Sequence, residues 1–171
     1  MIEEFGKQLE HYLNNDVELK RRLQGFKAFS GKPDGHYQRA REEGISAVAR
    51  AVRCYPFGGK SQLPDGDLVS MRIADGGKTD QLVIHLEGDT FSVGHSSKGA
   101  PVLGIACAKD IFVKTVLGRH RWLWTMGMDD VELTYADDLP HSDWVTVLEI
   151  LVTMQELVEF HPELWQLVES Y

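Results

Sequence analysis

The sequence predicts an α+β domain: a single five-stranded, mostly antiparallel sheet with helices packed on one face, plus extra N-terminal helices. Three observations lead there. Apolar residues recur at helical spacing up to about residue 53 and switch to strict alternation from Leu68. Short strands then follow one another across turn signals, as hairpins do. After the last of these strands comes a long stretch too apolar to be a one-sided helix. Helices, then strands, then helices in this order place helices on one side of a sheet.

The elements follow in order. Phe5, Leu9, Tyr12 and Leu13 step by three and four, and Val17, Leu19, Leu23 and Phe26 do so again after a break at Asn14-Asn15-Asp16. Gly31-Lys32-Pro33-Asp34-Gly35 ends that section, and a second helical stretch from about His36 to Arg53 packs through Ile45, Val48, Ala49 and Val52. Tyr55-Pro56-Phe57-Gly58-Gly59 breaks it. Strands are expected at 68–74, 81–86, 90–95, 102–107 and 130–135, with turns at Asp75-Gly76-Gly77-Lys78 and Glu87-Gly88-Asp89. Between the fourth and fifth strands, Asp110 is placed to cap a helix over 111–117, which Gly118 can stop in the left-handed conformation. That helix permits one parallel or non-adjacent pairing. Ser142 is placed to cap a final helix over 143–160, which holds Trp144, Val145, Val147, Leu148, Ile150, Leu151, Met154, Leu157 and Val158. The chain thus divides into an N-terminal helical extension (1–60) and a sheet domain with a long C-terminal helix (61–171).

Charge and composition exclude several functions. At 171 residues the chain suits one domain with a core of its own. Its net charge of −8 combines +3 on residues 1–60 with −11 on residues 61–171. An acidic main body repels phosphate backbones, so nucleic acid is not expected as a partner. No apolar run approaches the ~18 residues of a membrane span, and Met1-Ile2-Glu3-Glu4-Phe5 is not the basic-then-apolar order of a signal peptide. The two cysteines, Cys54 and Cys107, read as buried thiols in a reducing cytoplasm.

No catalytic constellation emerges, and neither a metal nor a cofactor is expected. Gly59-Lys60-Ser61 lacks the glycine five residues upstream that a phosphate loop needs, since Cys54 stands there. His141-Ser142-Asp143 has triad residue types, but sequence neighbours diverge and helix capping accounts for them better. Asp129-Asp130 and Asp137-Asp138 flank the fifth strand as solvated ends. At His161-Pro162-Glu163 the proline is a helix stop, with His161 at a helix C-terminus. Trp122, Trp124, Met126 and Met128 differ, because four bulky, adaptable side chains lie in a connection beside an apolar helix. They form either a core lid or the wall of a ligand cavity.

The order and spacing from about Leu68 to Leu151 resemble the sterol carrier protein type-two domain family. The resemblance is carried by Ile73-Ala74-Asp75-Gly76-Gly77, by Leu86-Glu87-Gly88-Asp89, by the stretch from Ala106 to Gly118 with its helix Ile111-Phe112-Val113-Lys114-Thr115-Val116-Leu117, and by Met126-Gly127-Met128-Asp129-Asp130-Val131-Glu132-Leu133. It implies an apolar tunnel between sheet and helices, with Phe112, Val116, Trp144, Leu148 and Leu151 along it; the tryptophan connection adds Trp122, Trp124 and Met126. The chain departs from the family at Ala136-Asp137-Asp138-Leu139-Pro140-His141, where a tight Gly-rich turn is usual, and in its first 60 residues. Three functions follow: a non-catalytic carrier of a lipid, acyl chain or isoprenoid; an accessory module with a filled tunnel that docks a protein partner through residues 1–60; and an enzyme acting on a hydrophobic small molecule.

Overall fold

The computed structural model describes residues 1–16, 65–88, 90–135 and 141–171; for Tyr135 and residues 141–149 it describes the backbone alone. The helices expected over 17–29 and 36–53, and the Gly59-Lys60-Ser61 stretch, lie outside these residues. Along the chain come α1 (Ile2–Asn15), β1 (Gly66–Asp75), β2 (Lys78–Glu87), β3 (Thr90–Gly94), β4 (Leu103–Ala108), α2 (Lys109–Val116), α3 (Trp122–Thr125), β5 (Glu132–Tyr135), α4 (His141–Phe160) and α5 (Pro162–Glu169).

The five strands form one sheet in the order β3-β2-β1-β4-β5. Every pairing is antiparallel except β1 with β4. Gly76 and Gly77, at φ +55° and +94°, form the two-residue turn between β1 and β2. Both central residues of such a turn need positive φ, which glycine adopts without a Cβ clash. The single parallel pair falls between β1 and β4, not around the helix that follows β4. Because β4 and β5 are antiparallel neighbours, α2 and α3 must return the chain to the end of the sheet that it left.

Register decides which side chains meet the helices. Ile84, Val69 and Leu103 lie in one row across the sheet, and Leu82, Met71, Ile105 and Leu133 in the next. All but the half-buried Leu133 are fully buried. The opposite face carries Ser70, Arg72, Gln81, Ala106, Glu132 and Thr134, as the period of two requires.

On the apolar face, α1 buries Phe5, Leu9 and Leu13, one stripe at four-residue steps. The same helix covers the edge strand. Asn14 donates to the carbonyl of Phe91 at 2.8 Å and accepts from its N–H at 3.0 Å, while Glu10 Oε2 accepts from the N–H of Val93 at 2.7 Å. Side chains of α1 thereby occupy backbone groups of β3 that an uncovered edge would present to another strand.

α2 starts two residues earlier than the expected Asp110 cap allows, with Ala108 in the capping position and Asp110 inside the first turn. There the carboxylate complements the helix dipole rather than capping directly. The stop at Gly118 is as expected, at φ +71°. The N–H of Gly118 reaches Thr115 O at 3.0 Å and that of Arg119 reaches Lys114 O at 2.9 Å, a complete Schellman motif. The tryptophan connection is not irregular but contains one helical turn, α3. α4 begins at His141, so Ser142 lies inside it rather than at its cap.

Pro162 does more than stop α4. His161 is extended, and Pro162 opens α5, where a missing N–H costs nothing and φ is already helical. His161 Nε2 lies 2.8 Å from Asp16 Oδ2, its ring stacks on Tyr12 at 3.8 Å, and the Tyr12 hydroxyl donates to Glu163. These contacts tie α5 to α1. Together α1, α2, α4 and α5 supply Leu9, Phe112, Ile150, Leu151, Met154, Leu157, Val158, Leu164 and Val168 to a common core with the sheet.

Candidate functional site

The helix–sheet interior brings several of the expected site residues together. Phe112 and Val116 on α2, Trp122 on α3 and Leu151 on α4 belong to one buried cluster, and Met126 packs half-buried against it. Trp124 does not join them: it stands 60% exposed. The side chains of Trp144 and Leu148 lie outside those described, although both positions fall on α4.

Polar groups that apolar periodicity does not reveal hold this region in place. Thr115 and Thr125, both fully buried, pair through their hydroxyls at 2.7 Å, and Thr115 also bonds Ile111 O at 2.8 Å. Gln155 Nε2 on α4 donates to Thr115 O at 2.6 Å and His120 O at 2.8 Å. α2, α3 and α4 are thus stitched together at one point. The only sequence signal was Thr115 standing among Ile111, Phe112 and Val116 on a face otherwise apolar.

One donor at that junction is unpaired. Trp122 is only 3% exposed, and its indole Nε1 has no hydrogen-bond partner among the described residues; neither does the buried Nδ1 of His120. A buried donor left without an acceptor costs about 1–3 kcal/mol. Cys107, the free thiol among the described residues, is buried and pushed up to about 11, first by desolvation and then by Asp110, so it stays protonated at neutral pH. Among the described residues no group of three or more His, Cys, Asp or Glu could hold a metal ion. No described helix is long and apolar enough to cross a membrane.

The opposite sheet face carries a groove of about 250 Å³ lined by Ser70, Arg72, Gln81, Ser97, Glu132 and Thr134. Its polar groups answer one another: Gln81 Nε2 donates to Ser70 Oγ at 2.9 Å, and Arg72 lies 3.6 Å from Glu132. At the start of β1, buried Asp67 accepts from the N–H groups of Lys98 (2.7 Å) and Gly99 (3.0 Å) and pairs with His85 Nδ1 at 3.0 Å. Burial alone would raise the Asp67 carboxyl, but the bonds from His85, Gly99 and Lys98 outweigh it and leave the group below the ordinary carboxylate value.

A carboxyl with a depressed folded pKa stabilises the fold above its unfolded pKa, about 3.9. That stabilisation is lost as pH falls through the folded value. The stability difference between the parent and Asp67→Asn should therefore be constant from neutral pH down to about pH 5 and shrink below about pH 4. Urea titrations of both proteins across that range measure it; a difference unchanged at low pH would show that Asp67 ionisation contributes nothing.

Solved structures with this architecture exist. The sterol carrier protein domain 2 of Helicoverpa armigera superposes with a TM-score of 0.50 at 10% identity, over 90% of this chain and 87% of that one. The chain has the sterol carrier protein type-two fold. Two further solved structures are similar to lower degrees. Sterol carrier protein 2 from Yarrowia lipolytica in its apo form has a TM-score of 0.40, at 15% identity over 78% of this chain and 88% of that one. A UbiJ-SCP2 ubiquinone synthesis protein has 0.37, at 14% identity over 68% and 81%. No family model and no curated protein sequence matches the chain. With identity this low, the sterol-carrier likeness is one of backbone path, and the site must be argued from this chain's own residues.

Proposed function

We propose that this protein is a non-catalytic carrier that holds a lipid, acyl chain or isoprenoid between the sheet and its helices, working in the cytoplasm. The observation that carries the reading is the indole N–H of Trp122, buried within the core cluster and without a partner among the described residues. A ligand carbonyl or hydroxyl is the partner it lacks, and the apolar chain of the same ligand suits the surroundings.

The interaction module is the second reading. It is favoured by how completely Leu9, Met71, Phe112, Leu151 and Met154 already fill the interior. In that reading residues 1–60 dock a protein partner, with Phe5, Leu9 and Leu13 facing inward.

The test is displacement of a fluorescent fatty acid, together with native mass spectrometry of the purified protein. Trp122→Phe keeps an aromatic side chain but removes the N–H together with the pyrrole half of the indole, so affinity should fall at least about three- to tenfold, the net worth of one hydrogen bond. For the empty protein, removing an orphaned donor offsets part of the cost of the smaller ring, so the stability loss should stay below the about 3–5 kcal/mol of Trp122→Ala. A parent protein that binds no apolar ligand overturns the carrier reading and leaves the module.

A further inference from the structure

We propose that the α3 turn and its leading segment, Arg119 to Trp124, are a docking tip for an anionic lipid bilayer surface. Three features meet there. Trp124 is 60% exposed and its neighbour Leu123 51%, two large apolar side chains side by side on one helical turn. Arg119 and Arg121, both exposed, precede them, and Lys114 lies one turn back on α2. Between Thr115 and Met128 there is no Asp or Glu at all.

The tip is held in this pose. In a single helical turn, residues three apart share a face. Trp122 and Thr125 point inward and are buried, so Leu123 and Trp124 must point out. Thr125 is bonded to Thr115, and Gln155 holds the carbonyl of His120, so the turn does not have to be ordered on docking. The His120 ring meets Trp124 edge-on at 4.4 Å and props the indole upright.

Charge selects the occupant. Residues 61–171 carry only seven Lys and Arg against eighteen Asp and Glu, and three of those seven are Lys114, Arg119 and Arg121. An anionic surface is repelled by the rest of residues 61–171 and attracted here. The competing ion pairs are weak. Arg119 lies 3.9 Å from the exposed Glu169, Lys114 lies 3.2 Å from the exposed Asp110, and exposed pairs contribute little. Arginine suits phosphate oxygens, and an exposed indole beside leucine suits the boundary between headgroups and acyl chains.

The assay is cosedimentation of the full chain with vesicles of phosphatidylcholine containing phosphatidylserine, and with phosphatidylcholine vesicles alone. The parent should partition onto the anionic vesicles, much less onto the neutral ones, and less as salt rises. Arg119→Ala/Arg121→Ala should lower partitioning about fivefold for each arginine removed. Leu123→Ser/Trp124→Ser should lower it tenfold or more, with circular dichroism unchanged because both residues lie outside the core. Failure of the parent to bind, equal binding to both vesicle types, or variants that bind like the parent would each overturn the proposal. So would self-association that the Leu123→Ser/Trp124→Ser variant abolishes in the absence of vesicle binding, since the tip would then be a contact between two copies. Interior ligand binding, scored by Trp122→Phe, does not enter this assay, so docking and carriage fail separately.

Discussion

Phe112→Ala should cost about 3–5 kcal/mol of stability, the range for truncating a buried phenylalanine. In a chain of this size that lowers the thermal midpoint by roughly 6–20 °C. Phe112 is 1% exposed and meets two rings edge to face: Phe5 of α1 at 6.4 Å and Tyr171 at 6.1 Å. Tyr171 is itself held by its hydroxyl, which donates to Asp80 at 2.5 Å, and by Lys109 Nζ, 4.6 Å above its ring. One side chain therefore couples α2 to both ends of the chain, and each coupling loses its partner in the variant. Urea unfolding followed by circular dichroism measures the loss. A cost below about 1.5 kcal/mol with tighter binding of a hydrophobic dye would show instead that Phe112 borders open ligand space.

Asp67→Ala should be comparably severe, about 1–3 kcal/mol for each donor left buried without its acceptor, because it removes a buried carboxylate held by several hydrogen bonds. The N–H groups of Lys98 and Gly99 and the ring of His85 remain where they are and lose the acceptor they share. Those bonds hold the β3–β4 connection against the start of β1, so the loosening should spread into residues 95–102. Hydrogen exchange at Lys98 and Gly99 should accelerate in step with the loss of global stability. Unchanged protection at those two amides would show that the loop is held by other contacts.

The strands and α2 were legible in the sequence for simple reasons. Alternation of Val69, Met71 and Ile73, and of Leu82, Ile84 and Leu86, is local information, and so are the Gly76-Gly77 turn and the stop at Gly118. Helix entry was less legible at Asp110 and Ser142, because acidic and hydroxyl residues serve both the cap and the first turn. α5 was missed because proline ends one helix and opens another with the same residue, and only the contacts of His161 with Asp16 and Tyr12 separate the two uses. Among the expected site residues, the family resemblance named Phe112, Val116 and Leu151, and all three are buried. Local sequence could not tell Trp122 from Trp124: two residues apart in a single helical turn, one faces inward and the other outward.

By itself the sequence determined the α+β class, the hairpins, the acidic main body and the excess of apolar surface on the last long helix, all properties written within a few residues of one another. Tertiary structure alone decided that β4 lies parallel to β1, that Asn14 and Glu10 of α1 cover the edge strand β3, and that Thr115, Thr125 and Gln155 join three helices at one point. The physical reason is sequence distance. A hydrogen bond between Asn14 and Phe91, or between Gln155 and Thr115, leaves no periodic trace in either segment, because each partner's role depends on where the other end of the chain is folded.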